Sequence, residues 1–414
     1  MSELPLEKNR ALKGAGMVMA VNLLVFALLY LAITWRFAVS LTVVGLVILA
    51  LVLAERIGLI DRLFTLYSRH RWPALISLVI LVLVFPWVIA GNPYLIHIAV
   101  MACLYGLISL GLNFQMGSTD MTNFASAAFF GMGAYTSALL SMRLGVSPWL
   151  GLPAGVLAAV LLGYLVGLPT LKTRGYYLSL VTIALQSAFT LLIINTDWVG
   201  GPNGVAGIPV FSLGPFSFRD SIVAFGVALP YQANYFYLAA GLLIFGAYAA
   251  SRLHVSRVGL AWNAIGEDEL AAICQGINPA GSKLMAFCIG AGFAGAAGWI
   301  YAHYLSYIGP DDFDFLKSLI AISMVILGGL DNVAGVVVGA GLLTLIDEKL
   351  RDYTDYRMLL YGAILLGVLI LRPGGLIPKR VRRYDLIGRG GTLWNPEDTT
   401  WSAGARSGRT AWRR

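Results

Sequence analysis

Long apolar runs alternate with short polar breaks along this chain, and the runs have the length of a bilayer. A helix crosses the hydrocarbon core in about 20 residues. Runs of that scale lie near 17–35, 38–54, 73–91, 94–115, 124–142, 149–168, 176–196, 233–251 and 284–306. Residues 317–371 hold three more, near 317–330, 333–348 and 356–371, with Gly328-Gly329-Leu330-Asp331-Asn332 between the first two. The pattern predicts an all-α polytopic membrane protein of about 10–12 transmembrane helices, the lower count applying if some segments are re-entrant.

Composition supports that pattern. The 414 residues are 58% hydrophobic and 12% charged, against roughly 25% charged in a soluble domain. The net charge of +8 sits in clusters between apolar runs. It forms no basic face of the kind nucleic acid requires, so nucleic acid is not an expected partner.

The placement of the basic residues gives an orientation. With the N-terminus inside the cell, stretches 1–16, 55–72, 171–175, 252–283 and 372–414 face the cytoplasm and carry 22 of the 29 Lys and Arg residues. Arg36, Arg143, Arg219, Lys317, Lys349, Arg351 and Arg357 fall on the other side. The positive-inside rule favours this arrangement, with both termini cytoplasmic. The first run is too long for a signal-peptide core and is expected to stay as a span. The tail 379–414, with nine basic and three acidic residues, reads as a disordered extension that rests on anionic lipid. The chain thus divides into three N-terminal helices (1–93), a core (94–378) and the tail.

Polar residues interrupt the apolar pattern at particular places. The stretch 113–126 is neither a plain loop nor a plain span. It fits a broken or re-entrant helix lining a polar cavity, because bare backbone at membrane depth needs partners. Asn113, Gln115, Asp120, Thr122 and Asn123 are its candidate pathway residues. Asp120 is the sharpest of them, since a carboxylate near the membrane is costly; the alternative is that it caps the following helix. For the other four, the alternative is hydrogen bonding between helices. Gly290, Ala294 and Gly298, and likewise Gly335 and Gly339, recur at four-residue spacing and read as helix-packing faces.

On the cytoplasmic side, 252–283 is too long for a turn. Leu260, Ile265, Leu270 and Ile273 are interleaved with polar groups, and Gly276 with Pro279 supplies a stop. One or two amphipathic helices on the membrane face are predicted, whose acidic Glu267, Asp268 and Glu269 suit a soluble partner, the alternative being a merely solvated acidic cluster. On the outside, loop 197–232 is long enough to cover a channel mouth or receive an external protein; the alternative is a plain linker. Cys103, Cys274 and Cys288 read as free, buried thiols. Neither the cysteines nor the four histidines form a metal pattern, and no Gly-Lys pair exists for a phosphate-binding loop. No catalytic constellation is found, so the chain is not expected to be an enzyme or to carry a cofactor.

Several segments together resemble the permease subunits of bacterial ABC importers for branched-chain amino acids, and specifically the longer of the two paired permeases. They include Gly111-Leu112-Asn113, Gly131-Met132-Gly133-Ala134-Tyr135, 171–182 and Gly200-Gly201-Pro202-Asn203-Gly204. Glu267-Asp268-Glu269-Leu270-Ala271-Ala272, 283–287, 292–298, 325–330 and Arg372-Pro373-Gly374-Gly375-Leu376 follow in the family's order. The resemblance covers about 94–378. It differs at Ser118-Thr119-Asp120, where the family has a Gly- or Gln-rich stretch, and at Gly266, where it carries a basic residue.

The resemblance implies an importer in the bacterial inner membrane, with two ATPase subunits, a second permease and a periplasmic solute-binding protein. It places ATPase coupling at Arg257, Gly259, Glu267, Asp268, Glu269 and Gly276. Transport of urea, a short amide or another amino acid is the alternative within the class. A stand-alone secondary transporter is the alternative outside it.

Overall fold

The computed structural model describes residues 16–24, 71–89, 92–170, 176–224, 227–352, 357–371 and 374–377, and the single positions 27, 45 and 50. Residues 16–24 are helical. Most of the first two expected spans, the 171–175 part of the family-like motif and the tail 379–414 lie outside the described residues.

The helices are α1 (Arg71–Val88), α2 (Pro93–Asn113), α3 (Ser126–Arg143), α4 (Gly151–Thr170), α5 (Tyr176–Ile194) and α6 (Gln232–Val255). Two short ones follow, α7 (Arg257–Glu267) and α8 (Glu269–Cys274). Then come α9 (Pro279–Leu305), α10 (Phe315–Gly328), α11 (Val333–Lys349) and α12 (Arg357–Leu371). Five helical stretches among the described residues are long and apolar enough to cross a membrane: Pro93–Ser118, Pro148–Leu168, Tyr177–Ile194, Gln232–Val255 and Pro279–Leu305. The protein is an all-α polytopic membrane protein.

Two helices form the centre. α2 starts where Asn92 accepts the Tyr94 amide and Pro93 takes the first helical position, the place where a missing N–H costs nothing. It packs against α6, α9, α10 and α11. α9, 27 residues long, packs against α2, α3 and α4. Lipid offers helices no hydrophobic drive to associate, so small residues that let backbones approach carry much of the packing. A Cβ on Gly111 would lie 2.6 Å from the Gly290 carbonyl oxygen. One on Gly298 would overlap the Phe130 carbonyl, one on Gly133 the Gly295 backbone, and one on Gly339 would come within 2.6 Å of the Gly328 Cα. Ala294, between Gly290 and Gly298 on α9, is buried.

α10 and α11 form a hairpin. At 1.5 Å per residue, the 14 residues of α10 reach about 21 Å, short of the hydrocarbon thickness. Its tip turns through Gly329 (φ 113°) and Asp331 (φ 62°), and Asn332 caps α11 by accepting the Gly335 amide. A later segment closes this tip: Leu376 N–H donates to Leu327 O at 2.7 Å and Ile377 N–H to Gly328 O at 3.1 Å.

At the opposite end of the bundle, the long loop is built rather than slack. It contains two-stranded antiparallel ladders, β2 (Ser212–Leu213) with β3 (Phe216–Ser217) and β4 (Ile222–Ala224) with β5 (Val227–Leu229). β1 (Val205–Ala206) pairs with β6 (Tyr307–Ile308), just beyond α9. The Phe211 ring packs at tilted or edge-on angles among Trp149, Trp299, Tyr235 and His303. The His303 ring bridges Ser137 Oγ and Pro209 O, each at 2.6 Å.

Candidate functional site

The break after α2 has a local cause. Phe114–Ser118 winds as a π-turn, a form often found at functional sites. Thr119 Oγ1 and the Met121 amide both donate to Gln115 O, at 2.8 and 2.7 Å, so that carbonyl no longer serves a regular helix. Asp120 then adopts φ 51°, a left-handed conformation that Asp tolerates better than most residues. The chain runs non-helically to Ser126, where α3 begins.

Three of the five pathway candidates come together here. Gln115 Nε2 donates to Phe287 O at 3.2 Å, and its Oε1 accepts Asn123 Nδ2 at 2.7 Å. Asn123 Oδ1 in turn accepts the Ala125 amide. Asn113 Oδ1 accepts the Asp331 amide at 2.8 Å. All three side chains are buried, and a Cβ at Gly290 would overlap the Gln115 amide. Asp120 and Thr122 are exposed instead, Thr122 bonding Ser179 Oγ at 2.6 Å. Asp120 does not cap α3: the cap position is Ala125. Two amides of the first turn of α3 go to side chains of two other helices, Ala127 N–H to Ser318 Oγ and Ala128 N–H to Gln186 Oε1, the second shared with Ala125 O. Gln186 Nε2 continues to Phe313 O at 2.6 Å.

Sequence reasoning passed over Gln186, Ser318, His254 and Asp331. Gln186 alone left a trace, as an amide in the middle of an apolar run. Asp331 sits at the hairpin tip with its side chain buried. Its Oδ1 accepts the Ser118 hydroxyl at 2.6 Å and lies 3.4 Å from His254 Nδ1. His254 is in the last turn of α6, its ring tilted against that of Phe114, which also meets Trp262 of α7.

The short helices lie directly on this junction. Ser256 caps α7 by accepting the Gly259 amide, and a Cβ at Gly259 would lie 2.6 Å from His254 O. Trp262 is buried and donates to Ser282 O at 2.8 Å. A Cβ at Gly266 would come within 2.6 Å of the Ser118 carbonyl oxygen. Asp268 caps α8 through the Leu270 and Ala271 amides, and Glu269 pairs with Lys283 at 2.8 Å. Gly276 turns the chain out of α8 at φ 79°, while Pro279 starts α9 under an Asn278 cap. Leu260, Leu270, Ile273, Arg257, Glu267 and Asp268 are exposed. Cys274 is exposed too, and Cys103 and Cys288 are half-buried, which corrects the expectation of three buried thiols: Cys274 ends α8, on the outer side of the pair.

Residues 94–369 match the family described as branched-chain amino acid transport system / permease component. The chain is similar to the high-affinity branched-chain amino acid transport system permease protein LivM of Escherichia coli K12, at 33% identity over 317 residues, 73% of this chain and 74% of that protein. It is also similar to LivH of the same organism, at 27% identity over 285 residues, 66% of this chain and 91% of LivH. The permease BraD of Pseudomonas aeruginosa is 26% identical over 287 residues, 66% of this chain and 91% of BraD. No solved structure matches. A bundle of apolar helices around a broken polar segment, with sequence similarity running through most of its length, belongs to the branched-chain amino acid permease family, and it is a membrane transport subunit rather than an enzyme.

Proposed function

We propose that this chain forms the pathway of an ATP-driven importer for branched-chain amino acids, opening alternately to either face of the bacterial inner membrane. The observation that carries the coupling half of the reading is the α7–α8 pair. It presents Leu260, Leu270 and Ile273 beside Glu267 and Asp268 while resting through Gly266 on the broken end of α2. An apolar patch rimmed by charge suits a groove on a soluble partner, here an ATPase subunit. Gly259 and Gly276 set the turns on either side of that patch, and Arg257 stands at its start. The asymmetry of Lys and Arg supports cytoplasmic termini and a cytoplasmic position for α7–α8.

LivM and LivH are both named as permeases of a branched-chain amino acid transport system in one organism, which supports a second permease beside this chain. An external binding protein and two ATPase subunits complete the assembly. At the cytoplasmic mouth, Asp120 and Thr122 offer the polar surface met by the substrate's ammonium, with Asn113, Gln115 and Asn123 holding the backbone behind them.

Purification from native membranes in mild detergent is the test. Co-purifying ATPases and a second permease, with leucine uptake into proteoliposomes that requires ATP and the binding protein, is the expected result. A chain that purifies alone and moves leucine without ATP would instead be a secondary transporter. In the reconstituted system, Asp120→Asn is expected to slow leucine uptake several-fold, and an unchanged rate removes Asp120 from the pathway.

A further inference from the structure

We propose that Asp331 is the positioning residue that joins the α7 docking helix to the α10–α11 hairpin, so that movement of one is obeyed by the other. The inference rests on the reading that ATPase subunits dock on α7–α8.

The hairpin tip has no need of this carboxylate for its own closure. Asn332 caps α11, and Leu376 and Ile377 take the Leu327 and Gly328 carbonyls. The Asp331 carboxylate instead reaches two other elements: the Ser118 hydroxyl of the π-turn at 2.6 Å and the His254 ring of α6 at 3.4 Å. Its backbone amide is held by Asn113 of α2 at 2.8 Å. The π-turn approaches so closely that a Cβ on Gly117 would overlap the Asp331 nitrogen.

Each of these neighbours leads back to α7. Ser118 bonds Asp331 with its hydroxyl and meets Gly266 of α7 with its carbonyl. His254 stands three residues before the first residue of α7. The Phe114 ring lies between His254 and Trp262. In the other direction, α10 runs from the tip to Ser318, which with Gln186 holds the start of α3. One buried carboxylate therefore fastens the end of the hairpin to two of the elements that α7 touches, the π-turn and α6. A charge-assisted hydrogen bond in a dry site is stiff and short, which suits a joint that transmits displacement.

The test compares Asp331→Asn with the wild-type chain in the complete reconstituted importer, reading leucine taken up per ATP hydrolysed. Asparagine keeps the shape and an acceptor for Ser118 but removes the charge. The expected result is continued ATP hydrolysis with uptake per ATP lower by about tenfold, a typical size for a lost coupling energy. His254→Gln, which retains a donor, is expected to preserve the ratio, and His254→Leu to lower it. A merely structural role would reduce folded protein, hydrolysis and uptake together and leave the ratio unchanged, which overturns the proposal. If Asp331→Asn does not assemble, the two His254 variants decide on the same criterion. Failure of ATPase subunits to bind the wild-type chain would overturn the docking reading itself.

Discussion

Gln115 breaks a membrane helix without leaving polar atoms bare. Its side chain donates to Phe287 O and accepts from Asn123, and its carbonyl receives both Thr119 and Met121. The space for this amide exists because residue 290 has no side chain. Gly290→Val should therefore drive the amide from its partners, combining overpacking with a buried unmet donor, at about 3 kcal/mol or more; thermal unfolding of the purified protein in detergent would measure it, and an unchanged midpoint would refute the account. Asn113, Gln115 and Asn123 were legible as polar interruptions of an apolar pattern. Asp331 and His254 were not, because each sits in a segment where a polar residue is ordinary, and only the fold brings them to Ser118. Asp120 drew notice as the nearest carboxylate, although the buried one lies far along the chain.

Among elements, α3 is the one whose start depends on others. Its first turn is capped by Ser318 and Gln186 rather than by a residue of its own, so the usual sequence signature of a helix N-terminus is missing. Gln186→Leu should leave the Ala128 amide with Ala125 O alone, at 3.1 Å, and take the acceptor from the Ser318 hydroxyl, at a cost of about 1–3 kcal/mol, partly relieved at the other end because Thr190 also reaches Phe313 O at 3.4 Å; denaturation in detergent against wild type would show the loss. The Lys283–Glu269 pair on α8 and α9 is partly exposed, and Lys283→Ala is expected to cost no more than about 1 kcal/mol in the same assay. Leu270→Glu, by contrast, should leave folding intact and reduce ATPase subunits recovered with the chain, read by quantitative pull-down. The amphipathic pair was readable from spacing. The ladders of the long loop were not, since strands of two or three residues carry too little pattern to rise above a Gly- and Pro-rich stretch.

At the scale of the whole molecule, the bundle has two chemically different ends, one bearing α7, α8 and the hairpin tip and the other bearing the aromatic loop. Cys274 at the first end and Leu144 at the second are both exposed. A membrane-impermeant thiol reagent should label Cys274 only in inside-out vesicles and a Leu144→Cys variant only in right-side-out ones; the reverse pattern would invert the orientation. That the chain is all-α and crosses the membrane several times was open to reading, because the length of an apolar run follows directly from bilayer thickness. How the helices neighbour one another was not, since small-residue seams specify closeness without naming a partner. The closure of the hairpin tip by Leu376 and Ile377 has a consequence for biogenesis. A ribosome delivers α10 and α11 to the membrane before the residues that cover Leu327 and Gly328 exist, so the tip waits unfinished until α12 has been inserted. A chain whose translation stops between residues 371 and 376 would hold α1 to α12 and still lack these two stitches, giving quality-control proteases a mark by which to tell it from the finished protein.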